Sequence, residues 1–173
     1  MKCTDINIRD PFILVYEGKY YLYGTRSETA FADEASGFDV YISIDLENWD
    51  GPFEVFQRPE NFWSSRCYWA PEVYRHHDRF YMFATFAGEG RHLGTCVLRA
   101  DSPCGPFAML SDGFVTPADR RCLDGTLYIS PDEKPYMVFC MHGMEETYDG
   151  AVCAMELTED LRQAAGEPAE LFR

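Results

Sequence analysis

Asp10 stands immediately ahead of Pro11-Phe12-Ile13, and Asp124 immediately ahead of Gly125-Thr126-Leu127-Tyr128. Each is an acid at the mouth of an apolar, aromatic-rich run. Alone, an Asp before Pro or Gly is a turn former. Two carboxylates brought to one place are a different object, because they can move protons to and from a reacting group. Between them, Trp69-Ala70-Pro71-Glu72 sets a large ring and a further acid in the same kind of opening. Whether these residues meet depends on the elements that carry them.

Those elements repeat. Asp10-Pro11-Phe12-Ile13 leads through Glu17-Gly18-Lys19 into Tyr20-Tyr21-Leu22-Tyr23-Gly24-Thr25. Trp69-Ala70-Pro71-Glu72-Val73-Tyr74 leads in the same way to Arg79-Phe80-Tyr81-Met82-Phe83-Ala84-Thr85. Laid over each other without a gap, Pro11 falls on Pro71, Ile13 on Val73, Tyr21 on Tyr81 and Thr25 on Thr85. A third copy runs from Asp124 through the turn Ser130-Pro131-Asp132-Glu133-Lys134 to Tyr136-Met137-Val138-Phe139, with Asp124 in the place of Asp10. The second halves recur as well: Gly51-Pro52-Phe53 returns as Gly105-Pro106-Phe107, and Asp45-Leu46 as Asp160-Leu161. A period of about 57 residues belongs to propellers, solenoids and arrays.

Each unit reads as four strands. In the first they fall near 12–16, 19–25, 38–44 and 53–57, with turn residues at Glu17-Gly18 and Glu47-Asn48. Four antiparallel strands per repeat is the build of a propeller blade. The expected fold is therefore all-β, an array of about three four-stranded antiparallel blades over 10–66, 67–120 and 121–173 in one domain. Thr158 to Ala165 is the one helical-looking stretch, expected to make about a turn of helix. Gly88-Glu89-Gly90-Arg91 resembles a phosphate loop, but no helix follows it to supply a positive end, so it is expected as a hairpin turn.

Composition narrows the function. The 173 residues carry 29 acidic against 15 basic side chains, a net charge of −14. Such a surface repels phosphate backbones, which argues against nucleic acid and for a neutral or weakly charged substrate. No run approaches the ~20 apolar residues of a membrane span. Met1-Lys2-Cys3-Thr4-Asp5 lacks the apolar region of a secretory signal, which leads to the expectation of a cytoplasmic protein. Seven cysteines form no C-x-x-C pair, and Cys140 and Cys153 follow apolar runs; buried free thiols are expected rather than disulfides or zinc ligands. His76-His77 sits in a hairpin turn with no further ligand at metal spacing, so neither a metal nor another cofactor is expected.

Three ordered openings, Asp10-Pro11-Phe12-Ile13, Trp69-Ala70-Pro71-Glu72 and Leu123-Asp124-Gly125-Thr126-Leu127-Tyr128, resemble the blade openings of glycoside hydrolase family 43, the arabinofuranosidases, arabinanases and β-xylosidases. The connecting pieces, 38–56 and Ser102-Pro103-Cys104-Gly105-Pro106-Phe107, are similar to that family too, so the likeness covers the whole chain. The resemblance implies a five-bladed β-propeller with its active site in an axial funnel. It also implies hydrolysis of glycosidic bonds with inversion by three acids. Asp10 takes the place of the general base and Asp124 that of the acid that raises the pKa of the proton donor and orients it. The proton donor belongs to a fourth blade, for which about three units of chain leave no room. Inversion requires two carboxyls about 6.5–9.5 Å apart.

Other residues are open to two readings. Trp69 either stacks on a sugar face or packs between blades. Glu72 either hydrogen-bonds within the funnel or holds the second blade in place. His142 either reaches the funnel mouth or is structural. Trp49 reads as packing, and Trp63 and Tyr68 stay undecided. Glu145-Glu146 could replace the missing acid, though a solvated loop is the plainer account. Three blades would leave strands exposed on two flanks, which points to a fragment, a truncated reading frame or self-association through those faces. The expected function is a glycosidase acting on arabinose- or xylose-containing glycans, weak or inactive alone. The alternative is a carbohydrate-binding or assembly module derived from one.

Overall fold

The computed structural model describes residues 1–32, 34–143 and 150–173; Glu145-Glu146 lie outside them. Among the described residues, twelve strands form three antiparallel four-stranded sheets. The first sheet holds β1 (Ile8–Tyr16), β2 (Lys19–Arg26), β3 (Gly37–Ser43) and β4 (Asp50–Gln57), in that order. The second holds β5 (Ser64–His76), β6 (Arg79–Gly88), β7 (Arg91–Ala100) and the short β8 (Ala108–Met109). The third holds β9 (Arg121–Ile129), β10 (Pro135–His142), β11 (Ala151–Glu156) and β12 (Ala169–Phe172). Each sheet is a simple up-and-down meander, as the four-strand reading of the repeat expects. β5 starts at Ser64, inside the stretch assigned above to the first unit.

The middle sheet is buried on both faces, and its sequence shows why. Successive side chains of a strand point to opposite sides. In β6, Phe80, Met82, Ala84 and Phe86 join the core shared with the first sheet, while Tyr81 and Phe83 join the core shared with the third. A strand covered on both sides reads as a continuous apolar run rather than an alternation, which is the character of Phe80 to Ala87. Phe86, fully buried, is the hub of the first interface: the rings of Phe38, Phe56, Phe62, Trp63 and Tyr68 all lie within 6.4 Å of its centroid. Edge-on and tilted contacts of this kind add to area burial. Tyr68 donates to the Ser64 carbonyl (2.8 Å) and Tyr23 to the Pro103 carbonyl (2.6 Å), so the hydroxyls buried with these rings are satisfied.

The flanks differ from each other. Residues 1–8 cross the outer face of the first sheet, where Ile6 and Ile8 pack with Leu22, Tyr41 and Trp49. They are tied there by hydrogen bonds between Met1 and Trp49 and by the Lys2–Asn48 bridge. Trp49 is thus a packing residue, 2% exposed. The outer face of the third sheet, carrying Tyr136, Val138, Cys140, Val152 and Ala154, is half-buried. The cysteines are all free, yet only Cys96, Cys122 and Cys153 are buried, and Cys140 is half-buried rather than enclosed. Burial pushes the Cys96 and Cys122 thiols up to about 12, which keeps them protonated and inert.

The helical turn expected at Thr158 to Ala165 does not form. Thr158 and Asp160 bond to each other and to the backbone N–H groups of Gln163 and Arg162, the local competition that Ser, Thr and Asp offer to helix. Leu161 then adopts φ 62°, outside any right-handed helix, and is fully buried. The segment repeats the turn at Ser43–Asp45–Leu46, where Leu46 has φ 64°. Gly88 to Arg91 is the expected hairpin turn between β6 and β7.

Phe86→Ala removes the ring common to five aromatic contacts, and such a truncation costs about 3–5 kcal/mol. Urea unfolding followed by tryptophan fluorescence is expected to show a loss of that size, against a much smaller one for Phe31→Ala, whose ring is exposed.

Candidate functional site

The opening strand of every sheet carries the same irregularity. Pairing skips between Arg9 and Phe12 in β1, between Trp69 and Glu72 in β5, and between Leu123 and Thr126 in β9. The first residue of each unpaired couple is left-handed: Asp10 at φ 50°, Ala70 at φ 44° and Asp124 at φ 56°. A bulge of this kind re-aims the side chain it carries, and Asp tolerates the left-handed region better than most residues. Close approach is part of the arrangement. A Cβ at Gly24 would stand 2.8 Å from the Arg9 carbonyl oxygen, and one at Gly125 2.6 Å from Thr95 Cγ2.

A backbone N–H turned out of the ladder needs an acceptor, and here the neighbouring sheet supplies it. Thr25 Oγ1, at the inner end of β2, accepts the Ala70 N–H (2.8 Å) and donates to Asp10 Oδ2 (2.8 Å). Thr85 Oγ1, the same position of β6, accepts the Asp124 N–H (3.0 Å). Both threonines are buried, at 1% and 0% exposure. These two hydroxyls thus hold the second and third bulges, one each, to the sheet before them.

The geometry brings Asp10 and Asp124 together. They line one cavity of about 200 Å³ with Arg9, Phe31, Trp69 and Leu123. The Asp124 carboxyl is held above the usual carboxylate range, first by desolvation, then by the charges of Asp10 and Glu72, with His142 opposing. Both acids open toward solvent at the cavity mouth.

The remaining residues fall into place around this pair. Trp69 is half-buried, its indole N–H donating to the Ala30 carbonyl (2.5 Å), which fixes the ring on the cavity wall. Glu72 does not line the acid cavity; Oε2 accepts from the Tyr74 and Thr126 hydroxyls and so links the second and third sheets. Its charge nonetheless reaches Asp124. His142 ends β10 and lines a separate cavity with Arg120, Gly143 and Glu170, close enough for its charge to act on Asp124. Trp63 and Tyr68 belong to the aromatic interface around Phe86. Among the described residues, no cluster of three or more His, Cys, Asp or Glu side chains could hold a metal ion.

Phe31 has no forerunner in the sequence reading. It is 76% exposed, lies edge-on to Trp69 with centroids 5.9 Å apart, and carries Arg9 over its face at 4.9 Å. A bare ring at a cavity mouth beside a second ring is a platform for the apolar face of a sugar. The only sequence signal was a lone aromatic within the polar loop 26–36.

The sequence matches the family described as glycosyl hydrolases family 43 over residues 5–173. The chain belongs to that family. Its fold superposes on the endo-arabinase from Bacteroides thetaiotaomicron VPI-5482 with a TM-score of 0.88 and 37% identity, covering 99% of this chain and 58% of that one. A thermostable family-43 glycoside hydrolase follows with TM-score 0.77 and 27% identity, over 94% of this chain and 52% of that one. An endo-1,4-β-xylanase from the same Bacteroides strain gives 0.71 and 30%, over 91% and 49%. The chain therefore spans about half to three-fifths of the structures it resembles. No match is found among curated protein sequences. Membership of family 43 makes the three sheets blades of a partial β-propeller.

Two measurements test this arrangement. Thr25→Val leaves the Ala70 N–H and Asp10 Oδ2 without their hydroxyl, an unmet buried donor that costs about 1–3 kcal/mol; Thr25→Ser is expected to recover most of it in chemical unfolding. Asp124 has a folded pKa above its unfolded one, so its ionisation opposes folding: the cost is absent below the unfolded value near 3.8 and full once pH exceeds the raised one. Asp124→Asn is thus expected to raise Tm at pH 7 and to lose that gain in melts below pH 4.

Proposed function

We propose that the chain supplies the base-bearing part of an inverting glycoside hydrolase acting on arabinose- or xylose-containing glycans. The observation that carries this reading is the meeting of Asp10 and Asp124 in one small cavity walled by Trp69 and Phe31. Its more similar solved relatives, an endo-arabinase and an endo-1,4-β-xylanase, support the substrate class.

In this reading Asp10 is the general base. Thr25 holds Oδ2, which orients the carboxylate and leaves Oδ1 to take a proton from the attacking water. Asp124 acts on the proton donor: a carboxylate beside a carboxylic acid penalises its ionised form and keeps the proton available near neutral pH. Trp69 and Phe31 present ring faces to the sugar, which binds it without a charge. Glu72 acts through position, joining two blades and adding negative potential at Asp124. No third carboxylate lines the cavity among the described residues. That favours a second reading, a sugar-binding module without turnover.

Titration calorimetry with arabino- and xylo-oligosaccharides and hydrolysis of nitrophenyl arabinofuranoside and xyloside separate the two. Turnover reduced about 10²–10⁴-fold by Asp10→Ala is expected for the hydrolase. Binding with no turnover in either protein supports the module, and neither binding nor turnover defeats both.

A further inference from the structure

A larger cleft of about 550 Å³ opens on the far side of the Phe31–Trp69 pair, and those two rings line both spaces. Its polar wall carries three guanidiniums, Arg66 from β5, Arg91 from β7 and Arg121 from β9, beside the His92 imidazole, with no carboxylate among the described lining residues. In a chain with 29 acidic and 15 basic side chains, three guanidiniums gathered without an acid run against the overall composition. None of the three forms an ion pair among the described residues. Arg91 is instead held over the Trp63 ring at 4.5 Å, which orders it without neutralising it. Arg66 and Arg121 flank Cys67, whose thiol feels both charges.

We propose that this cleft is a subsite for a carboxylate-bearing sugar, a uronic acid substituent or neighbour of the glycan whose reacting bond lies at Asp10 and Asp124. The proposal rests on the glycan-site reading above. A guanidinium is planar, always charged and matched to a carboxylate in two parallel hydrogen bonds. The shared rings give the connection: a sugar on the Phe31–Trp69 wall has the acids on one side and the arginines on the other. A neutral glycan leaves those arginines unused. A polyanion such as nucleic acid meets the repulsion of the −14 surface along its length, whereas one carboxylate meets the local field of the cleft.

The test is calorimetry on the 173-residue chain at low ionic strength, with xylotetraose, xylotetraose bearing one glucuronic acid, and the carboxyl-reduced form of the latter. The acidic ligand is expected to bind about five- to tenfold tighter than the other two. That advantage should vanish at high salt and in Arg66→Gln/Arg121→Gln, whose folding is checked by an unchanged thermal melt. Equal or weaker binding of the acidic ligand overturns the proposal while leaving the glycan site intact. So does an advantage that survives the double variant, or a preference for a sulfated xylotetraose over the uronate. Failure of all three ligands to bind overturns the proposal, and failure of arabino-oligosaccharides as well overturns the glycan site.

Discussion

The structure hangs on a threonine hydroxyl that bridges from one sheet into the bulge of the next. The bulge frees a backbone N–H from its ladder, and that donor must be met inside the protein. Thr25 and Thr85 meet it for Ala70 and Asp124. Sheet packing and placement of the acids are therefore one constraint. Ala70 shows the order of dependence: it takes the same left-handed bulge as Asp10 and Asp124 with no carboxyl to place. The bulge is thus a property of the blade, and the acids are carried on a position the fold already bends out of its ladder.

The same logic locates what is different about the third sheet. Thr25 pairs with Arg9 and Thr85 with Trp69; the residue pairing with Leu123 is Cys140. A thiol is a weak donor and acceptor, so the third sheet does not present the hydroxyl with which the first two hold their successors. Its outer face is also the one left half-buried, whereas residues 1–8 lie across the outer face of the first sheet. Among the described residues the two flanks therefore differ, one crossed by residues 1–8 and the other half-buried.

The fold was legible because it is written more than once. Pro11 over Pro71 and Thr25 over Thr85 gave the phase, and the turn residues between aromatic-rich runs then marked the strands within each unit. Thr158 to Ala165 misled because its composition suits a helix, while the hydrogen bonds of Thr158 and Asp160 and the left-handed Leu161 are local choices that periodicity does not register. Asp10 and Asp124 were visible as equivalent positions. Phe31 was not, since its place depends on a hydrogen bond from Trp69 to Ala30 that joins two distant segments. Arg66, Arg91 and Arg121 come from three strands of two sheets, and nothing in their spacing marks them as neighbours. Glu72 could be read either way, and its partners decide: two hydroxyls occupy Oε2, one of them across a sheet boundary.

Opposite charges stand close together here without cancelling, and the aromatic wall is the reason. The causes that raise Asp124 are desolvation and the charges of Asp10 and Glu72, with His142 opposing them. No guanidinium of the larger cleft figures among them, although that cleft shares Phe31 and Trp69 with the acid cavity. Had an arginine reached Asp124 directly, it would favour the ionised carboxyl and undo the raised pKa. The two rings line both spaces, and among the described residues Arg9, held over the Phe31 face, is the one guanidinium on the acid side. A base at Asp10 and the negative potential of Asp124 need carboxylates that no guanidinium has claimed, and anion recognition needs guanidiniums that no carboxylate has claimed. A wall with no charge of its own allows both on one groove, and the Trp69 N–H bond to Ala30 keeps that wall upright.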